Sequence, residues 1–195
     1  MKKIKMVFAS ANAGKTAEMK LLVNKYLNGF DVELLGLDDV GFTEKIIEYG
    51  TTFEENAKIK AQAVFKSCGM ICFADDSGLC VDYLNGAPGV YTSDYGGIDK
   101  LLHELAGVPD GQRTARFCCA LHCVVSHNAG FCVTGECHGV IARGASGEDG
   151  FGYDPVFYYP PLGRTFAQLN GEEKNNVSHR AAAAELFAEK IVEYI

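Results

Sequence analysis

The chain has 195 residues, 48% of them hydrophobic, enough apolar material for one domain with a substantial core. Its net charge of −7 argues against a general nucleic-acid-binding surface, so an anionic ligand would need a local cluster of cations or a metal ion. No run approaches the ~18 apolar residues of a membrane helix, and the apolar run from Met6 to Ala9 is too short for a signal core of ~7–15 residues, so the chain reads as cytoplasmic.

In chain order, residues 4–9 read as a buried strand. Residues 16–27 read as a helix, with Met19, Leu22, Val23, Tyr26 and Leu27 at helical spacing. The junction between them runs Ser10-Ala11-Asn12-Ala13-Gly14-Lys15-Thr16 and ends like a P-loop. That pattern requires a glycine at position 9, where Ala9 stands, and no glycine precedes Gly14. One glycine is too few for a loop whose amides wrap a phosphate. The junction still suits an anion, because a helix start presents amides and a positive dipole end, and Ser10, Asn12 and Lys15 add donors. A capped helix with a solvated lysine would carry the same residues.

Residues 32–37 read as a second strand and 53–66 as a helix. Thr52 and Glu55 form a T-x-x-E capping box at its start, and Lys60 lies along it. A third strand, 71–74, leads into Asp75-Asp76-Ser77-Gly78, residue types that also favour turns. Ligands of α/β sheets collect at the carboxyl ends of strands. Adjacent carboxylates repel each other unless a cation compensates. Mg²⁺ does so through one or two carboxylates plus substrate phosphates, and such a site suits a carboxylate that orients or deprotonates water.

The second half is richer in β-structure. Residues 116–125 and 131–142 read as strands joined by a hairpin at Ser126-His127-Asn128-Ala129-Gly130, and 156–159 as a short strand. The tail from 178 to 195 reads as a helix with Ala183, Leu186, Phe187, Ile191 and Tyr194 on one stripe. Phe151 and Tyr153 offer flat faces to a nucleobase, or else pack within a Gly-rich turn. Ser178 suits an N-cap, which puts His179 and Arg180 in the first helical turn, against the dipole; an anion or oxo group held there would explain the choice. The eight cysteines contain no C-x-x-C pair, so a zinc site is not indicated and reduced core thiols are expected. The alternation of elements predicts an α/β fold: a single domain over 1–195, with an elongated mixed β-sheet flanked by helices, and two lobes around a central active-site cleft.

Seven motifs, in order over nearly the whole chain, resemble the inosine triphosphate pyrophosphatase family. They are S-x-N-x-x-K at Ser10, Asn12 and Lys15, T-F-x-E-N-A at 52–57, A-D-D-S-G-L at 74–79, G-A-P-G-V-Y at 86–91, G-F-G-Y-D-P at 150–155, E-E-K-N at 172–175 and S-H-R at 178–180. The resemblance implies Mg²⁺-dependent hydrolysis of non-standard purine nucleoside triphosphates (ITP, dITP, XTP) to the monophosphate and pyrophosphate. It implies that Ser10, Asn12 and Lys15 hold the triphosphate and that Glu55 and Asp76 hold the metal, with Asp76 also the catalytic base. Lys60 and Asp75 would act at the same end, with Ser77 in contact with substrate. A base pocket would be built from Phe151, Gly152, Tyr153, Asp154, Lys174, His179 and Arg180. A homodimer is implied, with no nucleic-acid or membrane partner.

The chain departs from the family pattern in two places. The usual S-A-R-Y is Thr92-Ser93-Asp94-Tyr95 here, and the stretch from Gly96 to Leu105 is shorter than the usual acidic loop. Three other readings remain: a P-loop kinase or ATPase releasing orthophosphate, a related pyrophosphatase with another base preference, and a nucleotide-binding module without turnover.

Overall fold

The computed structural model describes residues 3–195. Seven strands form one open mixed sheet in the order β2-β1-β3-β4-β5-β6-β7. They are β1 (Ile4–Phe8), β2 (Val32–Leu35), β3 (Ile71–Val81), β4 (Thr114–Ser126), β5 (Ala129–Ile141), β6 (Phe157–Tyr159) and β7 (Arg164–Thr165). β1 runs parallel to both β2 and β3, whereas β6 is antiparallel to β5 and β7. The helices are α1 (Ala13–Tyr26), α2 (Phe53–Cys68), α3 (Gly97–Glu104), α4 (Gly171–Val177) and α5 (His179–Ile191). None is long and apolar enough to cross a membrane, among the described residues.

The chain divides into two compact units. The first comprises Met1–Asp76, Cys119–Gly135 and Arg180–Ile195, and the second Ser77–Cys118 and Glu136–His179. In the first unit β1 is buried on both faces from Met6 to Phe8, where its residues are all apolar, as suits a parallel strand. Met6 and Phe8 pack with Met19, Leu22 and Val23 of α1 and with Phe187 and Ile191 of α5. Val7, on the opposite face, packs with Ala61, Val64 and Phe65 of α2. In the second unit Leu79, Val81, Ala115, Phe117, Cys137 and Ile141 gather with Leu101 and Leu105 around Phe157 and Phe166.

Several elements differ from the sequence expectation. β3 does not stop at Ala74; it continues through Asp75, Asp76, Ser77 and Gly78 to Val81. The turn preference of those residues is local, and it yields to partners supplied by the fold. α1 begins at Ala13 rather than Thr16, because the Asn12 side chain caps it by accepting from the Lys15 amide at 3.0 Å. The shortened stretch after Tyr95 is itself a helix, α3, and Asp94 before it is exposed. On α5, Ala183, Phe187 and Ile191 are buried as the stripe predicts, but Leu186 is substantially exposed, and so is Tyr194, which lies past the helix end at Ile191. All eight cysteines are free thiols, and Cys132 lies at the surface rather than in the core.

Candidate active site

Alternation along β3 sends the side chains of Asp75 and Asp76 to opposite faces of the strand. Each meets its own cations. Asp75, 1% exposed, accepts through Oδ2 from Lys15 Nζ at 3.0 Å and from Arg180 Nε and Nη2 at 3.3 and 3.2 Å. Arg180 is equally buried, and its Nη1 also donates to Glu18. Asp76 accepts through Oδ1 from Lys60 Nζ at 3.0 Å and through Oδ2 from Asn56 Nδ2 at 3.2 Å. Lys60 in turn donates to Glu48 Oε2 at 2.5 Å. The compensation that the sequence argument assigned to a metal ion is therefore supplied, for this pair of carboxylates, by two lysines and an arginine.

These surroundings separate the two acids. Burial pushes the Asp75 carboxyl up, but Lys15, Arg180 and Lys60 outweigh it and hold Asp75 well below the usual carboxylate range. For Asp76 burial is the stronger influence, and its carboxyl lies above the ordinary value despite Lys60. Burial works against the charge on Lys60, but Asp76 and Glu48 reverse the shift and raise it. One aspartate is thus a fixed anion, and its neighbour is the more basic carboxylate, suited to taking a proton from water.

The junction residues are engaged locally. Ser10 Oγ accepts from the Asn12 amide at 3.2 Å, and Asn12 caps α1, so of the three predicted phosphate holders only Lys15 reaches the carboxylates. Glu55, expected at the metal, takes part in the capping box that its motif also predicts. Its Oε2 accepts from the Thr51 amide and hydroxyl and from the Thr52 amide, completing the capping box on α2, and these bonds to Thr51 and Thr52 lower its carboxyl. The glutamate that reaches the Lys60–Asp76 pair is Glu48. It was missed because it lies in a polar stretch with no periodic signal. Asn56 was missed although it sits inside the T-F-x-E-N-A motif; its Oδ1 also accepts from the Gly50 amide at 2.8 Å. Position 50 needs glycine, since a Cβ there would come within 2.6 Å of Asn56 Oδ1 and 2.7 Å of Glu55 Cβ. Glu18, on α1 three residues from Lys15, is the third addition, and that spacing was its one visible signal.

The second unit holds the other predicted group. Phe151, Gly152, Tyr153 and Asp154 form a turn in which Asp154 Oδ2 accepts from the Phe151 amide at 2.8 Å and from Lys174 Nζ at 2.7 Å. Lys174 also lies over the Phe151 ring, 4.7 Å from its centroid. Gly150 has φ +78°, and a Cβ there would strike Asp154 Oδ2 at 2.2 Å, so this turn excludes larger residues. Phe151 keeps an exposed face, but Tyr153 is buried in the unit's apolar core and offers no free ring. His179 is buried and stacks on Phe117 at 4.8 Å and 17°. Ser77 follows Asp76 on β3, half-buried. The Arg180 guanidinium is engaged by Asp75 and Glu18, as a counter-ion of the carboxylate cluster.

Among the described residues no three His, Cys, Asp or Glu side chains are arranged to hold a metal by themselves. Asp76 and Glu48, drawn together around one ammonium, nevertheless form a two-carboxylate donor set of the kind Mg²⁺ uses, with substrate phosphates and water completing its shell.

A model of the Ham1 family matches residues 6–190. The chain is 42% identical over 199 residues to a dITP/XTP pyrophosphatase of Listeria innocua, covering 98% of this chain and 96% of that one. It is 45% identical to a dITP/XTP pyrophosphatase of Bacillus subtilis, covering 91% of each. Among solved structures it is similar to a HAM1 protein from Coxiella burnetii, with a TM-score of 0.86 and 38% identity over 97% of this chain and 99% of that one. The Ham1 protein of Staphylococcus aureus gives a TM-score of 0.84 at 36% identity, over 97% and 98% of the two chains.

Proposed function

This chain belongs to the Ham1 family, and from that premise we propose that it hydrolyses non-standard purine nucleoside triphosphates, dITP, XTP and ITP, to the monophosphate and pyrophosphate. The observation that carries the reading is the divided carboxylate pair: Asp75 locked to Lys15 and Arg180, Asp76 more basic beside Lys60, Asn56 and Glu48. Asp76 takes the proton from the water that attacks the α phosphorus. Lys15 and Lys60 supply positive charge to the phosphates, and Asn56 holds Asp76 in place. Mg²⁺ would be held by Asp76 and Glu48, where it offsets phosphate charge and makes water more acidic.

By resemblance to the family, base choice falls to the residues around Phe151 and Lys174. Hypoxanthine and xanthine carry an oxygen at the purine 6 position, which only accepts, whereas adenine carries an amino donor there. Lys174 can only donate, so a 6-oxo group suits it and a 6-amino group leaves donor against donor. An unpaired buried polar group makes such discrimination large, on the order of a few kcal/mol in a dry site. The exposed face of Phe151 provides a flat surface for a purine. A cytoplasmic homodimer belongs to the same reading, by resemblance to the family.

The decisive experiment incubates the protein with Mg²⁺ and a panel of ITP, dITP, XTP, GTP and ATP, and identifies the products. Monophosphate and pyrophosphate are expected, with ITP and XTP preferred to ATP. Inosine diphosphate and orthophosphate as first products would overturn the reading.

A further inference from the structure

The sheet of the second unit has a polar face that nucleotide hydrolysis does not use. Leu79, Val81, Ala115, Phe117 and Cys137 build its core side, and the alternate residues Cys80, Asp82, Arg116, Cys118 and Glu136 fall on the other. Arg116 Nη1 lies 3.3 Å from Asp82 Oδ1, and its Nε lies 3.3 Å from Glu136 Oε1. Two residues back along β3 and two forward along β4 from the Asp82–Arg116 contact, Cys118 Sγ donates to Cys80 Sγ at 3.9 Å. That is the spacing of residues facing each other across antiparallel neighbours. Cys118 is half-buried and is the side from which a small solute approaches, while Cys80 behind it is 7% exposed; Cys118 also lies 3.5 Å from Glu136 Oε1.

We propose that Cys80 and Cys118 form a peroxide-reactive dithiol that closes to a disulfide between β3 and β4. The pair is polarised. The hydrogen bond from Cys118 lowers the Cys80 thiol to about 7, with help from Arg116 and against burial, Glu136 and Asp82. The same bond, together with burial, pushes Cys118 far up. Near neutral pH the pair therefore carries one thiolate beside one thiol, the combination that disulfide formation needs.

The chemistry balances with a hydroperoxide as oxidant. The Cys80 thiolate attacks a peroxide oxygen; the S–O bond forms, the O–O bond breaks, and hydroxide departs to take up the proton Cys80 released earlier. The sulfur of Cys118 then attacks the sulfenic acid; the S–S bond forms, the S–O bond breaks, and the oxygen leaves as water with the Cys118 proton. Two thiols lose two electrons, the peroxide gains them, and two waters result for H₂O₂. The sulfurs have to close from 3.9 Å to about 2.05 Å, within reach of side-chain rotation on paired strands.

A second pair makes the claim specific. Cys68 and Cys72 are closer, with their sulfurs 3.5 Å apart. Burial and Cys68 push the Cys72 thiol up, and no cation is among the groups that act on it. Proximity alone would favour Cys68–Cys72, whereas thiolate chemistry favours Cys80–Cys118.

The test treats the reduced full-length chain with a few equivalents of H₂O₂ at pH 7, alkylates the remaining thiols, and reads intact mass and fragment spectra. Before alkylation a loss of about 2 Da is expected, with two of the eight thiols then protected and the bond mapped to Cys80 and Cys118. Cys118→Ser should abolish the loss, while Cys72→Ser should keep it. A bond mapped to Cys68–Cys72 or Cys119, oxygen addition without a bond, or no reaction within tens of equivalents would each overturn the proposal. Mapping on the unmodified protein decides the matter even where a serine variant folds poorly.

Discussion

Replacing Arg180 by alanine separates two roles for the same residue. The guanidinium is 1% exposed and bridges Asp75, itself 1% exposed, to Glu18. Removing it leaves Asp75 buried with Lys15 as its nearest remaining cation, at 3.0 Å. Breaking a buried pair from one side costs about 3–5 kcal/mol, because an uncompensated charge stays behind. For a chain of this length each kcal/mol moves Tm by about 2–4 °C, so Arg180→Ala should melt roughly 6–20 °C below the wild type. Thermal unfolding followed by circular dichroism measures this. Adding Asp75→Asn removes the stranded charge, so the double variant should lose less than the sum of the singles. In parallel, kcat/KM for ITP and ATP should fall together, leaving their ratio unchanged. A variant with wild-type Tm and a collapsed ratio would refute the counter-ion assignment and restore Arg180 as a base reader.

Asp76→Asn should lower kcat by roughly 100-fold or more, since it removes the basic carboxylate while keeping its size, with the fold checked by circular dichroism. Asp76 is raised by burial in the folded protein, so the stability it contributes is present in acid and lost as pH rises from the unfolded value of about 3.9 through the folded one; Asp76→Asn should therefore be no less stable than wild type at pH 7. Asp75 has the opposite sign: its folded value is depressed, so its stabilisation is complete above about 3.9 and fades as pH drops below that, and urea unfolding of Asp75→Asn should show a flatter acid limb than wild type. Glu48→Gln should raise the Mg²⁺ concentration needed for half-maximal rate, whereas Glu55→Gln should leave it unchanged, because glutamine still completes the capping box; the reverse pattern in a Mg²⁺ titration would return the metal to Glu55.

Much of this protein is legible locally. β1 follows from a short apolar run, α1 and α2 from their stripes and caps, and the β4–β5 hairpin from two β-rich runs around a turn-forming stretch, because each rests on residues within a few positions of one another. The motif order points to the family for the same reason, since it is a property of the chain read end to end. What could not be read locally arises where distant segments meet. Asp-Asp-Ser-Gly reads as a turn until Lys15, Lys60 and Arg180 neutralise it, and Arg180 stands 105 residues from Asp75 and 162 from Glu18. Glu48 carries no signal in its own neighbourhood, and it joins the site because the fold carries it to Lys60, twelve residues along. Residue types determine which charges exist and which helix ends are capped. Which cation meets which carboxylate is a matter of a few ångströms in a buried place, where Coulomb energy and desolvation are both steep, and so only the tertiary structure decided it.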